Sequence, residues 1–285
     1  MTLITELITA ERHLDTINDF IDRDDHDCLA YYELDDLHIY GDDMSPREIL
    51  DRALQTALND VSAIVERAAN TPMLHTLLAK LAPRIVDTSL DTQNICASIA
   101  LCGNLDNLKL ATEVYGCHMT DQTCANAALN GHLEMLKWAR LNGCIWNADV
   151  CANAALNGHL DVLQWARNEN PPCPWTVNTC ANAALNGHLE VLQWARTQRP
   201  KCPWTCDTCS NAAIGGHLHV LQWARAQQPA CPWTATTCMN AVIFGHLEVL
   251  QWAVSNGCFV SCRVRTCAAH TRNSAIIQCL HTTPH

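Results

Sequence analysis

Residues Cys180–Trp204 read CANAALNGHLEVLQWARTQRPKCPW, and near-copies of this stretch start at Cys124, Cys151, Cys209 and Cys238. Successive starts are separated by 27, 29, 29 and 29 residues. A weaker copy precedes them at Cys96 and a worn one follows at Cys267. A fixed period in this range is the mark of a solenoid, in which each unit buries its apolar face only against its neighbours.

Each unit predicts two short helices. Thr176 lies four residues before Cys180, and the same slot holds Thr92, Thr120, Asn147, Thr205 and Thr234. All are N-cap types whose side-chain oxygen can accept from an orphan N–H of the first turn. The first helix is expected to run to about Asn186 and to stop at Gly187 in a left-handed C-cap, as at Gly103, Gly131, Gly158, Gly216 and Gly245. Cys180, Ala183 and Ala184 make a narrow face of small residues that lets a neighbouring helix come close. The second helix, from His188 to about Thr197, is apolar at Leu189, Val191, Leu192, Trp194 and Ala195. Helices of this length are marginal alone, so stacking must hold them. Three copies end the second helix at proline (Pro171-Pro172, Pro200, Pro229), and two use Asn142-Gly143 and Asn256-Gly257.

The unit resembles the ankyrin repeat. Ala183-Ala184-x-x-Gly187-His188-Leu189-Glu190-Val191 and its counterparts carry the likeness, which covers roughly residues 91–285. The GHLEVLQWAR…CPW wording is similar to divergent arrays encoded by large DNA viruses and some protists. The resemblance implies an all-α helix-turn-helix solenoid, a non-catalytic interaction scaffold and, for a viral source, a host protein as partner. Asn178-Thr179-Cys180-Ala181 stands where the family has Thr-Pro-Leu-His, and the period is about four residues short of 33. A tight turn is therefore expected in place of the family's long β-hairpin finger.

The end copies depart from the pattern as caps do. At the front, Asn104 replaces His and Leu110 replaces Trp. At the far end the register through Cys267 puts Arg263 in the cap slot and His281 near the Trp slot.

Ahead of the array, residues 1–45 form an acidic segment and residues 46–90 a helical cap. Leu3, Leu7, Leu14, Ile17 and Ile21 fall on one helical stripe. Asp22–Glu33 has the length of a calcium loop, but Asp27 stands where the turn needs Gly, so it reads as a solvated acidic loop. Ser45-Pro46-Arg47-Glu48 is a helix start with capping-box spacing. The segment from 46 to 82 is open to two readings. Ala57-Leu58-Asn59 matches Ala184-Leu185-Asn186 as a degenerate repeat. Pro46-Arg47-Glu48-Ile49-Leu50 with Thr71-Pro72-Met73-Leu74 resembles an F-box, which would imply a substrate adaptor of a cullin ubiquitin ligase.

Charge is unevenly shared. Residues 1–60 hold 16 Asp/Glu against 4 Arg, while the other 225 hold 13 acidic against 14 basic residues. A near-neutral array leads to the expectation of a protein partner, with no nucleic acid and no membrane. There is no apolar run of spanning length and no basic leader, so an intracellular, cytoplasmic monomer with no cofactor is expected. The 18 cysteines then read as reduced, buried small hydrophobes.

Zinc or redox use of the thiols is the competing chemistry. The rungs His132, His159, His188, His217 and His246 are too far apart to share an ion, since packed helices lie roughly 8–10 Å apart and ligands about 2 Å from zinc. The tight sets Cys202-Cys206-Cys209 and Cys258-Cys262-Cys267 each lack a fourth ligand, so no metal or catalytic residue is assigned. The histidines are expected to bond backbone at the turns. The Trp138–Trp252 and Trp146–Trp233 ladders are expected to pack between copies. Positions that vary from copy to copy are freed from stacking. The candidate partner-binding residues are therefore Asn168, Glu169, Asn178, Arg199, Lys201, Asp207, Gln227 and Gln228, with Arg263 and Arg265 adding charge near the end.

Overall fold

The structure, a computed structural model, describes residues 68–69, 74–75, 77–79 and 93–281. The readings placed on residues 1–67, including the amphipathic stripe, the acidic loop and the helix start at Ser45, lie outside the described residues. All described secondary structure is helical: α1 Gln93–Cys102, α2 Leu105–Lys109, α3 Asp121–Leu129, α4 Leu133–Leu141, α5 Ala148–Leu156, α6 Leu160–Asn168, α7 Val177–Leu185, α8 Leu189–Thr197, α9 Cys206–Ile214, α10 Leu218–Ala226, α11 Ala235–Ile243, α12 Leu247–Ser255, α13 Cys262–Thr271 and α14 Ser274–His281. The chain is an all-α protein of repeated helical hairpins, divided into two compact units, Met1–Thr123 and Cys124–His285.

In the first unit, Leu74, Leu77, Leu78, Ile95, Ile99 and Leu108 are fully buried. Asn107 Nδ2 donates to the Ala69 carbonyl at 2.9 Å, and the Tyr115 hydroxyl donates to the His75 carbonyl at 3.3 Å. Asn104, which takes the histidine slot, caps α2 by accepting from Asn107 N–H at 3.0 Å.

In the second unit four first helices, α5, α7, α9 and α11, are fixed by the predicted cap. Asn147, Thr176, Thr205 and Thr234 are extended, and each accepts from the N–H two residues on, at 2.8, 3.3, 3.2 and 3.3 Å. The expected small-residue face is where first helices meet: α5, α7, α9, α11 and α13 pack in that order. Ala154, Ala155, Ala183, Ala184, Ala212 and Ala213 are completely buried between them. With only a methyl group to accommodate, adjacent backbones come near each other. Second helices bury Val191, Leu192 and Ala195 and their equivalents inward, and touch their successors far more sparingly.

The periods of 27 and 29 follow from the type of turn that closes the hairpin. Each second helix is closed by a turn cysteine whose N–H returns to one fixed alanine carbonyl. In the glycine type, Cys144 reaches Ala139 and Cys258 reaches Ala253, both at 2.9 Å, across a left-handed glycine of φ +83°. In the proline type, Cys173, Cys202 and Cys231 reach Ala166, Ala195 and Ala224 at 2.9, 3.1 and 3.0 Å across two extra residues. The prolines of that type follow cis bonds at Asn170-Pro171, Arg199-Pro200 and Gln228-Pro229. No strand occurs among the described residues, so this connection is a loop and not a hairpin finger. Ahead of Cys124 the spacing of 28 arises from a single π-helical turn, Leu110–Val114, which adds one residue before Cys117 returns to Ala111.

This rule corrects the last copy. Its loop is of glycine type, so the register runs two residues ahead of Cys267. Ser261, not Arg263, is the cap of α13, and Arg265 takes the cysteine slot. Arg272 takes the glycine slot with φ +55°, Asn273 the histidine slot, and Cys279, not His281, the tryptophan slot. Matching on Cys267 was misleading because cysteine is frequent enough here to recur out of register. A left-handed non-glycine residue is strained, so Arg272→Gly is expected to raise stability by about 1 kcal/mol. Denaturant melts of the two chains would measure it.

Candidate functional site

The repeats are locked by three ladders, and what remains outside them is the surface available to a partner. The first joins each histidine to the copy before it. Nε2 of His159, His188 and His246 donates to the carbonyls of Leu129, Leu156 and Ile214 at 3.1, 3.1 and 2.8 Å, and His217 bonds that of Leu185. The rings lie against the glycine of the preceding copy. A Cβ built on Gly131, Gly158, Gly187 or Gly216 would come within 2.5–2.6 Å of the next histidine's Nδ1. The histidines do bond turn backbone as expected, but across the repeat boundary rather than within one hairpin.

Burial is the main reason the His217 imidazole titrates below its ordinary range, with His219 (ring centroids 5.8 Å apart), His188 and His246 adding like charge against the pull of the Leu185 carbonyl. The folded state thus takes up its proton later than the unfolded chain does. Stability from this group is complete above an unfolded value of about 6.5 and falls as the pH drops through that value. Melting midpoints at pH 8 and pH 5.5 are expected to show this loss, and His219→Gln to reduce it.

The second ladder was not anticipated. Nδ2 of Asn153, Asn182, Asn211 and Asn240 donates to the carbonyl of Ala125, Ala152, Ala181 and Ser210, each at 3.1 Å. Each bond runs from the middle of a first helix to the one before. The invariance of this asparagine among the copies was the available signal.

The third ladder runs along the second helices. Arg140, Arg167, Arg196 and Arg225 lie over Trp146, Trp175, Trp204 and Trp233 at 4.0–4.1 Å. The same guanidinium groups donate to the carbonyls of Cys144, Cys173, Cys202 and Cys231 at 2.5–2.7 Å. Each turn tryptophan then meets the next copy's helix tryptophan edge-on, at 5.6–6.0 Å. The tryptophans are packing elements between copies; the arginines that complete them went unremarked in the sequence.

Among the described residues no three of His, Cys, Asp and Glu are grouped as a metal's ligands. Cys206 is half-buried and Cys262 exposed, unlike the buried Cys202, Cys209 and Cys258 of the same two sets.

The ten predicted residues divide. Asn168 is exposed at the end of α6, Glu169, Arg199, Lys201 and Gln228 are exposed on the loops that follow second helices, and Asn178 and Asp207 are exposed in the first turn of α7 and α9. The loop residues fall at equivalent places in successive copies. Two of the ten do framework work. Gln227 closes α10 by donating from Nε2 to the Trp223 carbonyl at 3.1 Å, as Gln198 does to Trp194 at 3.2 Å. The Arg265 guanidinium donates to the Leu280 carbonyl and ties α13 to α14. Arg263 is exposed and lines a shallow depression with Met239, Cys262, Thr266, Cys267 and His270.

No family model matches the sequence, and no curated protein does. Among solved structures, the chain is similar to the pentatricopeptide repeat protein PPR10 in complex with an 18-nt RNA element. The TM-score is 0.46 and the identity 12%, over 97% of this chain and 47% of that one. A cysteine-to-serine variant of the same protein, also with RNA, matches equally. This chain spans about half the length of the chain it matches. The expectation of no nucleic acid is corrected by this finding. The similar helical-repeat chain is bound to RNA. A likeness this distant transfers no ligand to the present chain.

Proposed function

We propose that this protein is a non-catalytic binding scaffold whose ankyrin-like tiles hold a protein partner along the edge formed by loops 168–170, 197–201 and 226–230. One observation carries the reading. Residues repeated among the copies largely supply caps, ladders and core, whereas those that change in the loops after the second helices are mostly exposed, at equivalent places in successive tiles. Along these loops the character shifts from Asn168-Glu169-Asn170, through Arg199 and Lys201, to Gln227-Gln228. Such a series can distinguish one partner from another, while the repeated framework cannot. We place the protein in a reducing cytoplasm, in keeping with 17 free thiols among the described residues.

The test is affinity capture from nuclease-treated lysate with the full chain and with the double variant Arg199→Glu, Lys201→Glu. Loss of the captured protein with an unchanged melting curve supports the edge. Retention of the same protein by the variant removes that loop from the proposal. Capture abolished by the nuclease alone would replace the protein partner with a nucleic acid.

A further inference from the structure

The buried thiols of the array come in pairs, one from the first turns of a first helix and one from the turn that closes the same hairpin. Cys124 meets Cys144, Cys151 meets Cys173, Cys180 meets Cys202, Cys209 meets Cys231, and Cys238 meets Cys258. All ten are buried. In the first pair the Sγ atoms are 3.0 Å apart, about 1 Å beyond a disulfide bond. A small hydrophobe would suffice for packing, as the alanines beside these cysteines show. Packing alone does not call for two sulfur atoms in contact in five copies running.

The surroundings of the pairs are also asymmetric. The turn thiols Cys231 and Cys258 are more acidic than an ordinary cysteine, chiefly because the Cys209 and Cys238 thiols hydrogen-bond to them, with Arg225 adding positive charge. The helix thiols Cys209 and Cys238 are correspondingly less acidic, first through that hydrogen bond and then through burial. An independent feature points the same way. The hydroxyls of Thr179, Thr208 and Thr237 are fully buried with no hydrogen-bond partner. Thr208 stands beside the Cys231 sulfur, where it can donate to a thiolate. A buried hydroxyl left unpaired in the reduced protein is costly, and a transient thiolate gives it a partner.

We infer that each hairpin carries a dithiol that closes reversibly to a disulfide under a low-molecular-weight disulfide oxidant such as oxidised glutathione. In the Cys209–Cys231 and Cys238–Cys258 hairpins the turn cysteine is the attacking thiolate and the helix cysteine the resolving thiol. Cys231 S⁻ attacks one glutathione sulfur, the glutathione S–S bond breaks, and one glutathione thiolate leaves. Cys209 gives up its proton to that leaving thiolate and attacks the Cys231 sulfur, releasing the second glutathione. Two protein thiols become one disulfide, and oxidised glutathione becomes two reduced molecules. The turn cysteine is reached when its loop lifts, since it is followed by exposed Pro174, Pro203 or Pro232 in the proline-type copies. Closure ties the loops bearing Arg199 and Lys201 to the adjacent first helix. The dithiol chemistry itself does not depend on what those loops bind.

The test equilibrates the native full chain in glutathione buffers from reducing to oxidising poise, quenches in acid, alkylates the remaining thiols and maps the peptides. Expected are cross-links within hairpins, each with the loss of two hydrogens, reversed by reductant. Cys209→Ser should trap Cys231 as a mixed disulfide with glutathione. Thr208→Val should slow closure of Cys209–Cys231 several-fold and leave Cys180–Cys202 unchanged. It exchanges a hydroxyl for a methyl group, and Val150 already fills that slot in another copy, so this variant keeps the test valid where the serine variant fails to fold. All ten thiols still alkylated at a poise that modifies exposed Cys102 and Cys262, or cross-links joining different hairpins, would overturn the inference. An unchanged closure rate in Thr208→Val would remove the threonine from it.

Discussion

Gly187→Val is expected to cost about 3–5 kcal/mol, a large fraction of the about 5–15 kcal/mol that holds a folded protein together. Two effects combine. At φ +76° any side chain is strained, by about 1–3 kcal/mol and toward the upper end for a β-branched residue. The new Cβ would also lie 2.6 Å from His217 Nδ1 and 2.8 Å from its Cγ and Cε1, so the ring must leave. With it goes the bond to the Leu185 carbonyl, for about 1–3 kcal/mol. Gly245 separates the two effects. Its φ is +80°, but the following copy has Asn273 where the others have histidine, and nothing lies within 4 Å of its Cβ position. Gly245→Ala should therefore cost only about 1 kcal/mol of conformational strain, and Gly187→Ala clearly more. Urea unfolding of the three variants measures the difference, and equal losses at the two glycines would remove the histidine contact from the account.

That comparison shows which features the sequence exposed. Gly187 was legible as a left-handed cap because a helix stop there agrees with the apolar period on both sides. Thr176 was legible as an N-cap for the same local reason. What those residues touch was not legible. His188 has its partner 32 residues back, at Leu156, and Asn182 has its partner 30 residues back, at Ala152. Repetition reveals that a residue matters to the stack without revealing its partner, because every copy offers the same set of partners. Register at the C-terminus was misread for a related reason. Cys267 matched a repeated residue type, while the constraint that sets the register is the return of Cys258 N–H to the Ala253 carbonyl. The candidate edge was readable where it is made of loop residues that vary. It was misjudged at Gln227 and Arg265, whose variable side chains found backbone carbonyls nearby.

Arg196→Ala is expected to cost about 2–4 kcal/mol although the residue is partly exposed. The guanidinium loses a bond of 2.7 Å to the Cys202 carbonyl, for about 1.5–3 kcal/mol as a charged donor. It also loses its place 4.0 Å over Trp204, for about 0.5–1 kcal/mol at a partly solvated site. Arg196→Lys should recover less than half, because a single ammonium cannot lie over the ring and reach the carbonyl together. The array supplies its own control. In the last turn of α12 Val254 stands in the arginine slot, with Val260 in the turn-tryptophan slot and Cys279 in the helix-tryptophan slot, so all three members are lost together. Residues that disappear as a set are expected to act as one. A double-mutant cycle of Arg196→Met with Trp204→Leu should therefore give a coupling of about 1 kcal/mol or more. Methionine retains the aliphatic stem, so the cycle reports the cation over the ring and not the packing beneath it. Additive losses would show that the arginine serves the Cys202 carbonyl alone and that the tryptophans meet without its help.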